Sequence, residues 1–112
     1  MEIREFQESS FVRLQPVGDL DAQSSMDMDS CIRKYVDNGQ VNLLIDGTDL
    51  VYISSAGLGV FISYLDDLKA AGGQMAFSNL SEEVFDVFEL LGLTRLVSIV
   101  EKAEAASPLF NI

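Results

Sequence analysis

Histidine is absent from the sequence, and this absence excludes the most common catalytic arrangements. Without histidine, neither a Ser-His-Asp nor a Cys-His site can form, and a serine nucleophile lacks its usual base. An esterase elbow is also missing, because the glycine required two residues before a serine nucleophile is replaced by Tyr52 or Ile53. Gly57 and Gly59 do not extend to a dinucleotide fingerprint, since Ile62 holds the third glycine position, and no phosphate-loop lysine pattern exists. We therefore predict no catalytic residue, no cofactor and no enzyme activity.

Basic residues are scarce, with 7 Lys and Arg against 18 Asp and Glu, and the formal net charge is −11. A negative surface repels the phosphates of nucleic acids and the anionic faces of membranes. We therefore predict neither a nucleic-acid partner nor a membrane partner. The same charge favours a protein partner that presents a basic patch, although a need for solubility explains the acidity equally well.

Cysteine and long apolar runs are also nearly missing from the chain. The single cysteine, Cys31, cannot form an internal disulfide, and its place on an apolar helical stripe predicts a buried thiol in a reducing compartment. No run of about 18 apolar residues exists, and the charged residues 1–5 do not match the apolar core of a secretory signal. We therefore expect a cytoplasmic protein.

What the sequence does contain is the pattern of one α/β domain over residues 1–112, a length that supports a single core. The predicted strands are a short one near Ile3 and those at residues 11–17, 41–46, 75–77 and 97–100; the predicted helices are residues 22–38, a helix from the serines at 54 and 55 to Gly72, residues 84–91 and residues 101–106. Residues 41–46 are an apolar run, typical of a central strand covered on both faces. Strands alternating with helices favour a mixed sheet of about five strands with helices packed against it.

The connections between these elements carry their own predictions. We expect a turn at residues 18–19 and a loop at residues 47–53. Asp21 and Ser81 are expected to cap the first and third helices, and Pro108 is expected to keep the last helix from continuing.

Four aspartates, Asp19, Asp21, Asp46 and Asp49, could supply carboxylates to a metal ion. Their spacing matches no calcium-binding loop, and turns and helix caps explain these residues more simply. We therefore predict no metal site.

The most unusual segment is residues 51–60, where two serines begin a helix whose first turn carries two glycines. Each glycine costs a helix roughly 1 kcal/mol relative to alanine. One interpretation is a serine N-cap with glycines that allow close packing. The other is an exposed hydroxyl that the active site of another protein can reach.

Residues 52–60, Tyr-Ile-Ser-Ser-Ala-Gly-Leu-Gly-Val, resemble the phosphorylation-site motif of the STAS-domain anti-sigma factor antagonists. The family's other features have matches at Gly18-Asp19-Leu20-Asp21, at residues 44–50, at Gly72-Gly73 and at Gly92-Leu93. The resemblance covers nearly the whole chain and implies a single STAS-type domain.

By this resemblance, Ser55 is the residue that takes the phosphate. The family motif reads Asp-Ser-Ser/Thr-Gly-Leu-Gly, and here Ser54 replaces the aspartate and Ala56 replaces the second hydroxyl residue. Ser54 is therefore the alternative phosphorylation site. The residues expected to bind the partner are Asp19, Asp21, Asp46, Ser54, Ser55, Ala56, Gly57, Leu58 and Gly59.

The resemblance also implies a function. The partner would be an anti-sigma factor that is an ATP-dependent serine kinase, and a metal-dependent serine phosphatase would reverse its modification. The unphosphorylated antagonist would bind the anti-sigma factor and release a sigma factor. The alternative is a STAS-type structural or signalling module of another complex, such as a sensory assembly or a membrane transport system. The oligomeric state stays open, because the apolar residues 109–112 could fold onto the core or contact a second subunit.

Overall fold

The computed structural model describes residues 1–110, and these residues form a six-stranded mixed sheet with helices against it. The strands are β1 (Glu2–Gln7), β2 (Val12–Leu20), β3 (Asn42–Asp46), β4 (Leu50–Ile53), β5 (Gln74–Ser78) and β6 (Ser98–Val100). The helices are α1 (Ser25–Asp37), α2 (Ser55–Ala70), α3 (Glu82–Leu90) and α4 (Ser107–Phe110), with short 3-10 turns at Leu93–Arg95 and Ala103–Ala105. The predicted α/β fold class is confirmed.

The sheet has the order β1-β2-β3-β5-β6, and β4 pairs with the far end of β2. Among the strand pairs of residues 1–110, only β1 and β2 are antiparallel, and the others are parallel. β3 lies between β2 and β5, as its continuous apolar sequence predicts. β6 lies at the edge of the sheet, where residues 97–100 were expected.

The core occupies both faces of this sheet. On one face, Leu43 and Ile45 of β3 pack among buried residues of α1, α2 and α3. On the other face, Leu44 belongs to a smaller cluster that is closed by the C-terminal segment. Phe110 stacks on Phe11 with ring centroids 4.8 Å apart, so the predicted apolar tail folds onto the core through this residue. Residues 111 and 112 of that tail lie outside the described residues.

Helices α2 and α3 are joined to the sheet by an aromatic cluster. Phe77 of β5 meets Phe61 of α2 and Phe88 of α3 edge-on, with centroids 5.1 and 4.9 Å away. Such edge-to-face pairs stabilise beyond the area they bury, by about 0.5–1.5 kcal/mol each. α2 is the longest helix, and within the described residues no helix is long and apolar enough to cross a membrane.

Two connections differ from their predictions near the ends of β2 and β4. The predicted loop at residues 47–53 contains β4, which was missed because Val51 and Tyr52 are both exposed and break the alternation of a strand. The predicted turn at residues 18–19 is a bulge within β2, where Gly18 has a φ of +99°. Pairing with β4 therefore extends β2 to Leu20.

Two helix ends also differ. α1 begins at Ser25 and not at residue 22, because the Asp21 carboxylate accepts hydrogen bonds from the backbone N–H groups of Gln23 and Ser24. These bonds hold a turn ahead of the helix. Pro108 lies inside α4, since a proline in the first turn removes no helical hydrogen bond, and residues 101–106 contain only a 3-10 turn.

The first turn of α2 packs directly against the end of β2. A Cβ atom on Gly57 would lie 2.8 Å from Leu20 Cγ and 2.9 Å from the Leu20 carbonyl oxygen, which is too close for either atom. A Cβ on Gly59, two residues later, would meet open space. The two glycines of this turn therefore have different roles, and only Gly57 is required for packing.

The two glycines give a matched pair of substitutions. We expect Gly57→Ala to lower the free energy of unfolding by about 1–3 kcal/mol, because the added methyl group overpacks against Leu20. We expect Gly59→Ala to raise it by up to about 1 kcal/mol, since alanine is the better helix former. Urea unfolding of both variants tests this, and equal effects would contradict the packing of α2 on β2.

Cys31 gives a prediction about reactivity. Its thiol is buried, as expected from the sequence, and burial raises its pKa to about 11, with a further contribution from Glu5. A free thiol has a pKa of about 8.5, so at a pH of about 8 the folded protein holds almost no reactive thiolate. We expect iodoacetamide to modify Cys31 slowly in the native protein and rapidly in urea. Equal rates in the two states would show that the thiol is accessible.

Candidate functional site

The candidate site lies where the parallel strands β2 and β4 end. In their register Asp19 is opposite Tyr52 and Leu20 is opposite Ile53. The Ser54 N–H donates a hydrogen bond of 2.8 Å to the Leu20 carbonyl, one residue beyond β4. This pairing places the β2–α1 connection beside the start of α2, so residues distant in sequence share one surface.

Ser54 is the N-cap of α2. Its backbone is extended, and its Oγ accepts a hydrogen bond of 3.2 Å from the Gly57 N–H. Its carbonyl accepts the first helical bond, 3.0 Å from the Leu58 N–H. The half-buried Ser54 hydroxyl is therefore engaged in starting the helix, as the first interpretation of the serine pair expected.

Ser55 is the first residue of α2, and its side chain is exposed. Within the described residues, Ser55 Oγ has no hydrogen-bond partner, and the N–H groups of Ser55 and Ala56 have no protein acceptor. Free N–H groups and the helix dipole make this position suited to a negative group. Each serine therefore matches one of the two interpretations. Ser54 is the N-cap, and Ser55 offers the accessible hydroxyl.

Asp19 and Asp21 lie in the neighbouring connection and belong to the same end of the domain. Hydrogen bonds from Ser24 lower the pKa of the Asp21 carboxyl, so this group stays charged while it holds its turn. Asp19 is exposed, and its carbonyl accepts a hydrogen bond from Ser24 Oγ. Two carboxylates therefore flank the surface that carries Ser55.

The partner-binding residues predicted at 56–59 alternate in exposure. Ala56 and Gly59 are exposed, whereas Gly57 and Leu58 are buried beneath them. A partner that approaches this turn would therefore contact a small, shallow surface made by Ser55, Ala56 and Gly59.

Asp46 lies elsewhere. In the β2–β3 register Ile45 is opposite Leu14, so Asp46 follows beside Gln15, about 17 Å along β2 from Leu20. Its buried carboxylate accepts hydrogen bonds from Arg13 Nη1 at 3.1 Å and from Thr48 Oγ1 at 2.6 Å. The structure therefore does not bring Asp46 to the serines, and its predicted role in partner binding stays a prediction.

The four aspartates considered for a metal site are also spread along β2 and its neighbours. Asp49 accepts a hydrogen bond of 2.7 Å from Gln15 Nε2, on the same side as Asp46 and away from Asp21. Over residues 1–110, no group of three acidic or cysteine side chains is placed to hold a metal ion. Asp21 instead holds a turn, and Asp46 and Asp49 take part in ion pairs.

Two further residues belong to the site and were missed in the sequence. Val51 and Tyr52 on β4 are exposed by 65% and 53%, and they lead directly to Ser54. Large apolar side chains exposed next to a candidate site are typical of protein interfaces. The sequence signal for these two residues is that they are adjacent and apolar within the predicted loop at residues 47–53.

Comparisons with known proteins show the family to which this chain belongs. The STAS domain family model matches residues 3–106. The anti-sigma-B factor antagonist of Bacillus subtilis is 29% identical over 98 residues, which cover 88% of this chain and 89% of that protein. The one from Listeria monocytogenes is 27% identical over 99 residues, covering 88% and 86%.

The same fold is found in SpoIIAA, an anti-sigma factor antagonist solved in its unphosphorylated form. That structure superposes with a TM-score of 0.83 at 19% identity and covers 99% of this chain and 98% of SpoIIAA. A structure of the phosphorylated form superposes with a TM-score of 0.75, at 19% identity and with coverage of 96% and 99%. The resemblance that the sequence indicated is confirmed, and the chain belongs to the STAS domain family.

Proposed function

We propose that this protein is an anti-sigma factor antagonist that binds an anti-sigma factor through the surface around Ser55. Phosphorylation of Ser55 ends the binding. The observation that carries the proposal is the exposed Ser55 hydroxyl at the start of α2, which has no hydrogen-bond partner within residues 1–110, in a chain whose relatives are antagonists of anti-sigma-B factors. The protein regulates by binding and is not itself an enzyme.

The modification is carried out by the partners. The anti-sigma factor is a serine kinase that binds ATP and transfers its terminal phosphate to the serine. A metal-dependent phosphatase removes the phosphate. Nucleotide and metal therefore bind to those proteins and not to this domain. The unphosphorylated protein occupies the anti-sigma factor and leaves a sigma factor free, so it acts in the cytoplasm without contacting DNA.

The hydrogen bonds favour Ser55 over Ser54 as the phosphorylated residue. A kinase must reach the hydroxyl and remove its proton, which requires an oxygen that can leave its local contacts. Ser54 Oγ is half-buried and caps Gly57, whereas Ser55 Oγ is free within the described residues. Phosphorylation of Ser54 would alter the oxygen that caps Gly57, whereas phosphorylation of Ser55 leaves that contact in place.

A phosphate on Ser55 adds about −1.5 to −2 charges at the N-terminus of α2, where free N–H groups and the dipole stabilise an anion. The domain therefore stays folded. A partner that packs closely on Ala56 and Gly59 cannot accommodate the phosphate, and removing a dianion from water is costly. Steric exclusion and desolvation together explain how one modification abolishes binding.

The exposed pair Val51 and Tyr52 supplies the apolar part of the same surface. Tyrosine is enriched among the residues that carry interface energy, and its ring lies opposite Asp19 in the β2–β4 register. The partner surface is therefore expected to combine an apolar pocket with basic residues that face Asp19.

Phosphosite mapping with the anti-sigma factor kinase tests the proposal. We expect one phosphate, on Ser55, that is absent from Ser55→Ala and still present in Ser54→Ala. We also expect Ser55→Asp to weaken partner binding by at least about tenfold, the equivalent of about 1.4 kcal/mol.

Ser9→Asp is the charge-matched control. Ser9 is exposed in the β1–β2 connection, at the end of β2 opposite to Leu20, so its carboxylate should leave binding unchanged. The switch would be refuted if neither serine carried a phosphate and Ser55→Asp left partner binding unchanged. That result would indicate a STAS module of another complex.

The structural role of Ser54 gives a separate prediction about stability. Ser81 caps α3 in the same way, with its Oγ accepting a bond of 3.2 Å from the Val84 N–H. We expect Ser54→Ala and Ser81→Ala each to lower the free energy of unfolding by about 1 kcal/mol, and Ser55→Ala to leave it nearly unchanged. A loss for Ser55→Ala as large as that for Ser54→Ala would show that Ser55 is structural.

A further inference from the structure

A second surface, distant from Ser55, has features that the antagonist function does not use. A groove of about 630 Å³ lies between the C-terminal half of α2 and the segment that leads into β6. Its apolar walls are Ile62, Leu65, Met75, Leu96 and Val97. Ile62 and Leu96 are exposed by 43% and 66%, so the groove opens to solvent through apolar side chains. This volume is in the range of small-molecule sites, about 300–1,000 Å³.

The groove also carries two of the few basic residues of a strongly acidic protein. Among the described residues, ion pairs engage Arg4, Arg13, Arg33 and Lys34. The three other basic residues of the chain, Lys69, Arg95 and Lys102, lie in no ion pair in residues 1–110. Two of these three, Lys69 and Arg95, line the groove. In a chain with a net charge of −11, this placement indicates a negatively charged occupant.

The lining limits the chemistry of that occupant. Asp66 also lines the groove, so two cations and one carboxylate leave a net charge of about +1 for a single anionic group. Among residues 1–110, no aromatic side chain lines the groove, so it offers no stacking surface for a nucleotide base. A peptide added as a strand would need a longer free edge than the three residues of β6.

We propose that this groove binds a fatty-acid carboxylate, with the head group held by Lys69 and Arg95 and the alkyl chain laid along Ile62, Leu65 and Leu96. Burial of each methylene group contributes to binding, and the two cations orient the head group. The ligand is a free monocarboxylate with an unbranched apolar chain.

The groove is independent of the Ser55 surface. Ser55 and Lys69 lie at opposite ends of α2, about 21 Å apart along the helix. A bound fatty acid therefore leaves the partner surface free, and both can be occupied at once. Fatty-acid binding should be the same in Ser55→Asp and in the unmodified protein. A failure to bind a fatty acid would therefore not bear on the antagonist function.

Dodecanoate, used below its micelle concentration, is the probe. Backbone amide shifts recorded during its titration into the intact protein should saturate at residues of the groove. Lys69→Ala and Arg95→Ala should each weaken binding by about tenfold, since each removes a charged hydrogen bond. Lys102→Ala is the matched control, a cation without an ion pair in the described residues that does not line the groove, and it should bind dodecanoate normally.

Dodecyltrimethylammonium carries the same chain with the opposite charge, and it should not saturate the groove residues. Ile62→Ser keeps both cations, and it should weaken the binding of dodecanoate because it removes an apolar contact. If Lys69→Ala and Arg95→Ala bound dodecanoate as tightly as Lys102→Ala does, the proposal would be overturned. Shifts at the groove with a leucine- and glutamate-containing peptide, but not with dodecanoate, would also overturn it and assign the groove to a protein partner.

Discussion

The contact between Gly57 and Leu20 is the constraint on which the candidate site depends. Because Gly57 has no Cβ atom, α2 can begin immediately after β4 and lie against the end of β2, where no Cβ would fit. The hydrogen bond from Ser54 to the Leu20 carbonyl fixes the same geometry through the backbone. Ser54 is thereby committed to the helix cap, and the next residue, Ser55, is turned towards solvent. A structural requirement and a functional one are met by adjacent serines.

The sequence predicted most of the fold because its core elements are strongly patterned. The apolar run of β3 and the helical spacing of α2 depend on burial alone, and both are confirmed. β4 could not be recognised, since Val51 and Tyr52 face solvent and the pairing that makes them a strand comes from β2. The start of α1 was missed for a similar reason, because Asp21 favours a local turn over the helix.

The site was only partly predictable. The resemblance grouped Asp46 with Ser54 and Ser55 as residues that bind the partner. The register of β2 determines that Asp46 meets Arg13 instead, and a register cannot be derived from the composition of either strand. The roles of the two serines likewise required the structure, since only the hydrogen bonds distinguish the capping hydroxyl from the free one.

We propose that a phosphate at Ser55 changes binding without changing the fold. The most direct measurement is the free energy of unfolding of the domain phosphorylated on Ser55, compared with that of the unmodified domain. We expect equal stability or a gain of up to about 1 kcal/mol, because the helix N-terminus stabilises the anion. A loss of several kcal/mol would contradict it, since the modification would then act by unfolding the start of α2.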